Sequence, residues 1–336
     1  MMWRRGAAAA VLAAALTAGM HAAGPVEVVI PSKDRIDFRV GNDLVTSYHV
    51  GTDLAKPYFW PLNAPNGVAV TRAWPMEKAR PGGQTDHVHQ KSCWFAHGDV
   101  IPEGVALKQK TKGVEGVDFW SEFEGHGREV CVKVGEPENG KGRARVVTEN
   151  EWRTADGVKV LDEKRTISLY DLGDARLLVL DIDLSAADAP VTFGDTKEGT
   201  MGVRVRDEIT EDKGKGRLTN ADGKAGEKGA DGCWGRVSAW CDDSGPAEGK
   251  TVGVAVLADP DNPYPSCWHA RGYGLLAANP FGRDKSGFPA MKGKTDLVKL
   301  AKGDHLKLRY GVLLHDGDVK EGRVAECYEK FVKLKE

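Results

Sequence analysis

The chain has 336 residues, 47 of them Lys or Arg and 49 Asp or Glu, for a formal charge of −2 with both signs scattered along its length. That mixing leaves no basic patch to displace counterions from a nucleic acid or to hold an anionic membrane surface, so DNA, RNA and anionic lipid are excluded as partners. The 41 glycines fit a turn-rich β protein, and about 310 residues after a leader is within the range that one large all-β domain reaches.

The chain opens with MMWRRGAAAAVLAAALTAGMHAAG, where Arg4 and Arg5 precede an apolar run from Ala7 to Ala18 and small residues at Ala22 and Ala23. This is the order of a secretory signal peptide, expected over residues 1–23, with residues 24–336 as a single domain in a secreted or periplasmic protein. The run is too short for stable membrane insertion, which takes about 20 apolar residues. The residues after the Arg pair do not continue a twin-arginine pattern, so ordinary Sec export is expected.

Alternating runs then dominate: 35–40, 44–50, 117–122, 129–134, 143–153, 164–170, 176–184 and 306–314 each place β-branched or aromatic residues at period two and end in turn residues. Gly41-Asn42-Asp43 and Ala155-Asp156-Gly157 read as hairpin turns. Trp60, Arg72, Trp74, Asp118, Trp120 and Glu122 are candidate walls of a site, and equally candidate core or surface residues.

The densest chemistry lies in 85–99, TDHVHQKSCWFAHGD, with three histidines in eleven positions. In an extended segment His87 and His89 share a face with Cα atoms roughly 7 Å apart, whereas His97 is roughly 33 Å away unless the chain bends. Asp86 or Asp99 can orient an imidazole by accepting its second N–H, and Trp94 offers an aromatic face. Further on, Glu198 sits among small residues as a candidate base. The stretch 211–232 is polar and rich in glycine and lysine, and is expected as a mobile surface loop. The segment DPDNPYPSCWHARGYG that follows presents Trp268, His269, Arg271 and Tyr273, residue types that line sugar pockets. Only the tail, 318–335, has helical spacing, with Asp318 as the expected N-cap.

Six cysteines follow the leader: Cys93, Cys131, Cys233, Cys241, Cys267 and Cys327. Their spacing shows no zinc motif and leaves disulfides and buried free thiols both open. No GxSxG, HExxH or phosphate-loop motif occurs, so serine hydrolases, zincins and phosphate-loop proteins are excluded.

The ordered motifs PYFWPLNAPNGVAVTRAWPM, TDHVHQKSCWFAHGDV, GVDFW, KEGTMGVRV and DPDNPYPSCWHARGYGLLAANPFG resemble a family of secreted bacterial proteins labelled PmoA-like, "methane oxygenase PmoA", over nearly the whole chain after the leader. The family pattern Asp-His-Pro-His-His matches at Asp86, His87 and His89, while Val88 and Gln90 replace the proline and the third histidine. The resemblance implies an all-β fold, a large antiparallel β-sandwich resembling the galactose-mutarotase type, with sites on the concave sheet.

Three functions are expected from these residues. The first is a carbohydrate-active hydrolase, lyase or epimerase on a sugar or glycan, with His87 or His89 as acid, Glu198 as base, His269 and Arg271 positioning hydroxyls or a carboxylate, and Trp94 or Trp268 stacking a ring. Asp86, His97 and Tyr273 complete the expected binding residues. The second is a metal-dependent oxygenase or hydrolase built on His87 and His89 with a third ligand from His269, Glu198 or His97. The third is a non-catalytic glycan-binding module. No cofactor is named by the sequence.

Overall fold

A computed structural model describes residues 24–335; the expected leader, 1–23, lies outside them. Two antiparallel sheets pack face to face. One has nine strands in the order Cys267–Trp268, Leu275–Asn279, Gly199–Arg204, Cys93–His97, Tyr58–Leu62, Asp43–His49, Arg35–Val40, Pro25–Ser32 and Gly140–Lys141. The other has eight, in the order Arg217–Asn220, Trp240–Ala247, Lys250–Ala258, His305–Asp316, Ala175–Ser185, Lys159–Asp171, Arg143–Arg153 and Arg128–Val134. A small third sheet of Val298–Leu300, Val191–Phe193 and Val100–Pro102 adds its buried residues to the same core.

Period-two alternation builds the layers. On the strand Ala175–Ser185, Leu178, Leu180, Ile182 and Leu184 enter the core between the sheets, while Leu177 and Val179 point outward to a second cluster under the helix Val324–Lys333. Phe331 and Cys327 on that helix cover the outer face with Leu313 and Ala255. The fold is therefore an all-β sandwich with a C-terminal helix, as expected. Both expected hairpins form, joining Arg35–Val40 to Asp43–His49 and Arg143–Arg153 to Lys159–Asp171.

The interior also holds a polar knot. Arg165 and Glu163, both fully buried, pair through the guanidinium Nε; the Arg165 Nη1 donates to Tyr48 Oη at 2.7 Å, and Trp152 Nε1 donates to Glu163 at 2.7 Å. Tyr48 belongs to one sheet and Arg165 to the other, so the knot links the layers, and such pairs are costly to break by removing one member.

Three local expectations fail. Residues 117–122 form no strand beyond a bridge between Val117 and Val100, because the Asp118 carboxylate accepts the N–H groups of Trp120 and Ser121, both at 2.9 Å, and turns the chain. Asp318 caps the turn before the helix, accepting from Lys320 and Glu321, while the helix itself starts after Arg323, whose φ is 49°. The 211–232 stretch contributes the edge strand Arg217–Asn220 and is hydrogen-bonded through Ala225 to Asp231 and Gly226 to Leu218. The six cysteines are unpaired in this structure.

Candidate functional site

Segment 84–92 enters the central strand Cys93–His97 through a turn rather than an extended run. The His87 carbonyl accepts the Gln90 N–H at 2.9 Å, and φ is 44° at His87 and 58° at Ser92, left-handed values that non-glycine residues seldom adopt. The turn, not strand alternation, brings the His87 and His89 rings together, with centroids 5.6 Å apart.

Two buried arginines hold the turn. Arg72 donates to the Asp86 carboxylate and to the Asp86 and His87 carbonyls, each at 2.8 Å. Arg204, from the neighbouring strand Gly199–Arg204, donates to Asp86 at 3.0 Å and to Gln90 Oε1 at 2.5 Å. Gln90, in place of the third histidine of the resembled pattern, is therefore an acceptor for a buried guanidinium. Partial burial raises the Asp86 pKa, but the Arg204 charge, with hydrogen bonds from Arg72 and His87, outweighs it and holds the carboxyl at about 2. The other Asp86 oxygen lies 2.7 Å from His87 Nδ1, and the His87 ring stacks on Tyr273 at 5.3 Å. Asp86 thus accepts Nδ1–H and leaves Nε2 of a neutral His87 as the lone-pair nitrogen.

His269 reaches the same cleft from the loop after Cys267–Trp268. Its Nδ1 donates to the Lys197 carbonyl at 2.8 Å, which leaves Nε2 as a buried acceptor without a protein partner. Burial pushes its pKa down to about 3; burial, reinforced by the positive charge of Lys56, does the same to His89, also to about 3. Neither His89 ring nitrogen has a hydrogen-bond partner among the described residues. Glu198 Oε2 is 4.0 Å from His269 Nδ1, and burial raises the Glu198 pKa. Gly98 allows that placement: its N–H donates to the Glu198 carbonyl at 2.7 Å, and a Cβ there would meet Glu198 Cβ at 2.8 Å.

These groups line one cleft of about 470 Å³, within the range of small-molecule sites. His87, His89, Glu198, His269, Arg271 and Tyr273 all face it, joined by Asp118, Trp120, Phe123 and Thr111, whose buried hydroxyl has no partner. Arg271 is fixed by Glu227 at 3.0 Å and lies over the rings of Trp234 and Tyr273. Glu227 also accepts the Gly272 N–H at 2.7 Å. Glu227 carries no signal in the sequence, since a glutamate in a Gly/Lys-rich run reads as a solvated charge. Trp120 and Asp118 were among the candidate walls.

Three expected binding residues are corrected. Trp94 is fully buried beneath the cleft, its ring 4.9 Å from that of Trp120, so it supports the floor without presenting a face to a ligand. Trp268 is equally buried and donates its indole N–H to the Ser238 carbonyl at 2.9 Å. His97 lies in the core against Phe193 and Phe281, bound to the Gly194 carbonyl at 2.9 Å, with its pKa lowered to about 4 by burial. Strand Cys93–His97 is buried on both faces, so neither alternation phase opens Trp94 or His97 to the cleft. Among the described residues no three His, Cys, Asp or Glu side chains converge as ligands of one metal ion, and the third ligand expected beside His87 and His89 is not in place.

No curated protein matches the sequence. Among solved structures, the GH36 α-galactosidase AgaB from Geobacillus stearothermophilus aligns at 10% identity and TM-score 0.43, covering 88% of this chain and 42% of that one. An α-galactosidase from Lactobacillus brevis aligns at 8% and 0.39, covering 88% and 40%, and an Escherichia coli K12 protein named for aldose 1-epimerase activity at 12% and 0.35, covering 81% and 97%. The chain thus spans about two-fifths of the length of the α-galactosidases it aligns with. A model for a family of unknown function, DUF6807, matches residues 35–329, and the chain belongs to that family.

Proposed function

We propose that the cleft is the active site of an enzyme that works by acid–base chemistry on a sugar or glycan outside the cytoplasm. The observation that carries this is the convergence of the Asp86-oriented His87, the unpartnered Nε2 of His269 and Glu198 on one cleft with aromatic walls. The roles follow from the environments. His89 and His269, with pKa values near 3, are neutral at ordinary pH and serve as acceptors, not as the acid expected of His89. Glu198, its pKa raised by burial, is suited to hold a proton and give it to a substrate oxygen. His87 or His269 then takes the proton leaving a hydroxyl or a carbon. Arg271 grips a hydroxyl or carboxylate oxygen, and Phe123, the exposed aromatic of the cleft, offers a ring face to an apolar sugar face. Hydrolysis, elimination and epimerisation share this proton traffic and differ in which bond the substrate places between the two groups.

The test is a panel of free sugars and oligosaccharides followed by proton NMR. One class is expected to be converted, with His87→Ala and Glu198→Gln each slowing the reaction by about 100-fold or more. Sugar binding without conversion overturns the enzymatic reading in favour of a binding module. Conversion at the wild-type rate by both variants overturns the site.

A further inference from the structure

Cys233 and Cys241 belong to parts of the chain that the sheet brings together. Cys241 sits on the strand Trp240–Ala247, directly opposite Asn220 on the edge strand. The Asn220 N–H donates to the Lys224 carbonyl at 3.0 Å, and the Cys233 thiol lies 3.6 Å from that same carbonyl. Both cysteines are fully buried in one core cluster, on segments joined through the Lys224 carbonyl. Between Asn220 and Cys233 the chain makes an excursion in which Ala221–Gly223 and Lys228–Asp231 are exposed. It buries little apolar surface of its own, the signature of a segment of low local stability. Yet this excursion carries Glu227, which fixes Arg271 and the Gly272 N–H at the cleft.

We propose that Cys233 and Cys241 form a disulfide that staples the excursion, and with it Glu227, to the eight-stranded sheet. The bond forms by thiol–disulfide exchange with an external disulfide of the glutathione or oxidoreductase class. The two thiols give up two electrons and two protons, one S–S bond forms between them, and the S–S bond of the oxidant breaks to yield two thiols. Because both sulfurs are shielded in the folded chain, the exchange accompanies folding. Cys93, Cys131, Cys267 and Cys327 stay reduced in separate places: within the central strand, on the edge strand Arg128–Val134, beside Phe288 and under the C-terminal helix. The consequence for the cleft rests on the function proposed above; the bond itself does not.

The protein is refolded in a buffer of reduced and oxidised glutathione, denatured without reductant, blocked with N-ethylmaleimide, digested and weighed by mass spectrometry. The expected result is a linked pair of peptides containing Cys233 and Cys241, with the label on Cys93, Cys131, Cys267 and Cys327. Label on both Cys233 and Cys241 overturns the proposal. Hydrogen exchange gives a second measure on the same wild-type chain: amides of 224–233 are expected to exchange about tenfold faster or more after reduction, and equal rates overturn the stapling role. Neither readout uses a sugar, so failure here is distinct from failure of the acid–base function.

Discussion

Replacing Asp86 by Asn separates the orienting role of this carboxylate from its charge. Its oxygens accept from Arg72 at 2.8 Å, Arg204 at 3.0 Å and His87 at 2.7 Å. Asn keeps an oxygen for the arginines but turns an NH₂ toward His87 Nδ1, which must then accept, so the neutral ring moves its proton to Nε2 and loses the lone pair that faces the cleft. Proton transfer through a positioned side chain is worth about 100- to 10,000-fold, and Asp86→Asn is expected to lose an effect in that range. The stability cost is smaller. The fall from the ordinary 3.8 to about 2 corresponds to about 2 kcal/mol for a group shut off from water, and since the side chain is 41% exposed, screening reduces this to about 1 kcal/mol. A depressed carboxylate pKa contributes stability above the ordinary value and loses it as pH falls through the folded one, so this contribution disappears between pH 4 and 2 in the wild type and is missing throughout in Asp86→Asn. Long-range ¹⁵N–¹H NMR of the imidazoles reads the tautomer without any substrate. An unchanged Nδ1–H tautomer of His87 in the variant refutes the orienting role.

On the acid–base function proposed above, the pH profile follows from the same environments: activity should fall below about pH 3 as His269 protonates and fall again at higher pH as Glu198, raised by burial, loses the proton it donates; initial rates at low substrate across pH check both limbs. Far from the cleft, His315 and Asp242 form a fully buried pair at 2.8 Å, and this partner, against the opposing effect of burial, raises the His315 pKa. Its stabilising contribution is therefore complete below the ordinary histidine value and is lost as pH rises through the folded one, a slope that urea denaturation should show in the wild type and not in Asp242→Asn. Glu163→Gln leaves the buried Arg165 charge with Glu129 at 3.6 Å as its remaining carboxylate partner and should cost about 3–5 kcal/mol in the same assay. Trp94→Ala should likewise cost about 3–5 kcal/mol, by opening a cavity beneath the cleft floor.

Most of the strand framework was legible in the residues because alternation is a local property. The runs at 35–40, 143–153 and 306–314 carry their buried face in their own sequence, and the hairpins at Gly41 and Ala155 carry their turns. The apolar stripe of the tail likewise announced the helix Val324–Lys333. Local signals misled where a side chain competed with the backbone, as Asp118 does at 117–122, and where polar composition was equated with a loop, as at 211–232. The cleft was half legible: His87, His89, Glu198, His269, Arg271 and Tyr273 stood out by chemical type, and they do meet. Which aromatic and imidazole groups reach a ligand was decided only in three dimensions. Trp94, His97 and Trp268 have the right chemistry, but their strands are covered on both faces, a property of the sheet and not of the strand. The charges that set the site are also remote in sequence, with Arg204 118 residues from Asp86 and Glu227 45 residues from Gly272. Side-chain type and period determine which elements form; the packing of the two sheets alone determines which buried charges meet and which imidazoles keep a free nitrogen.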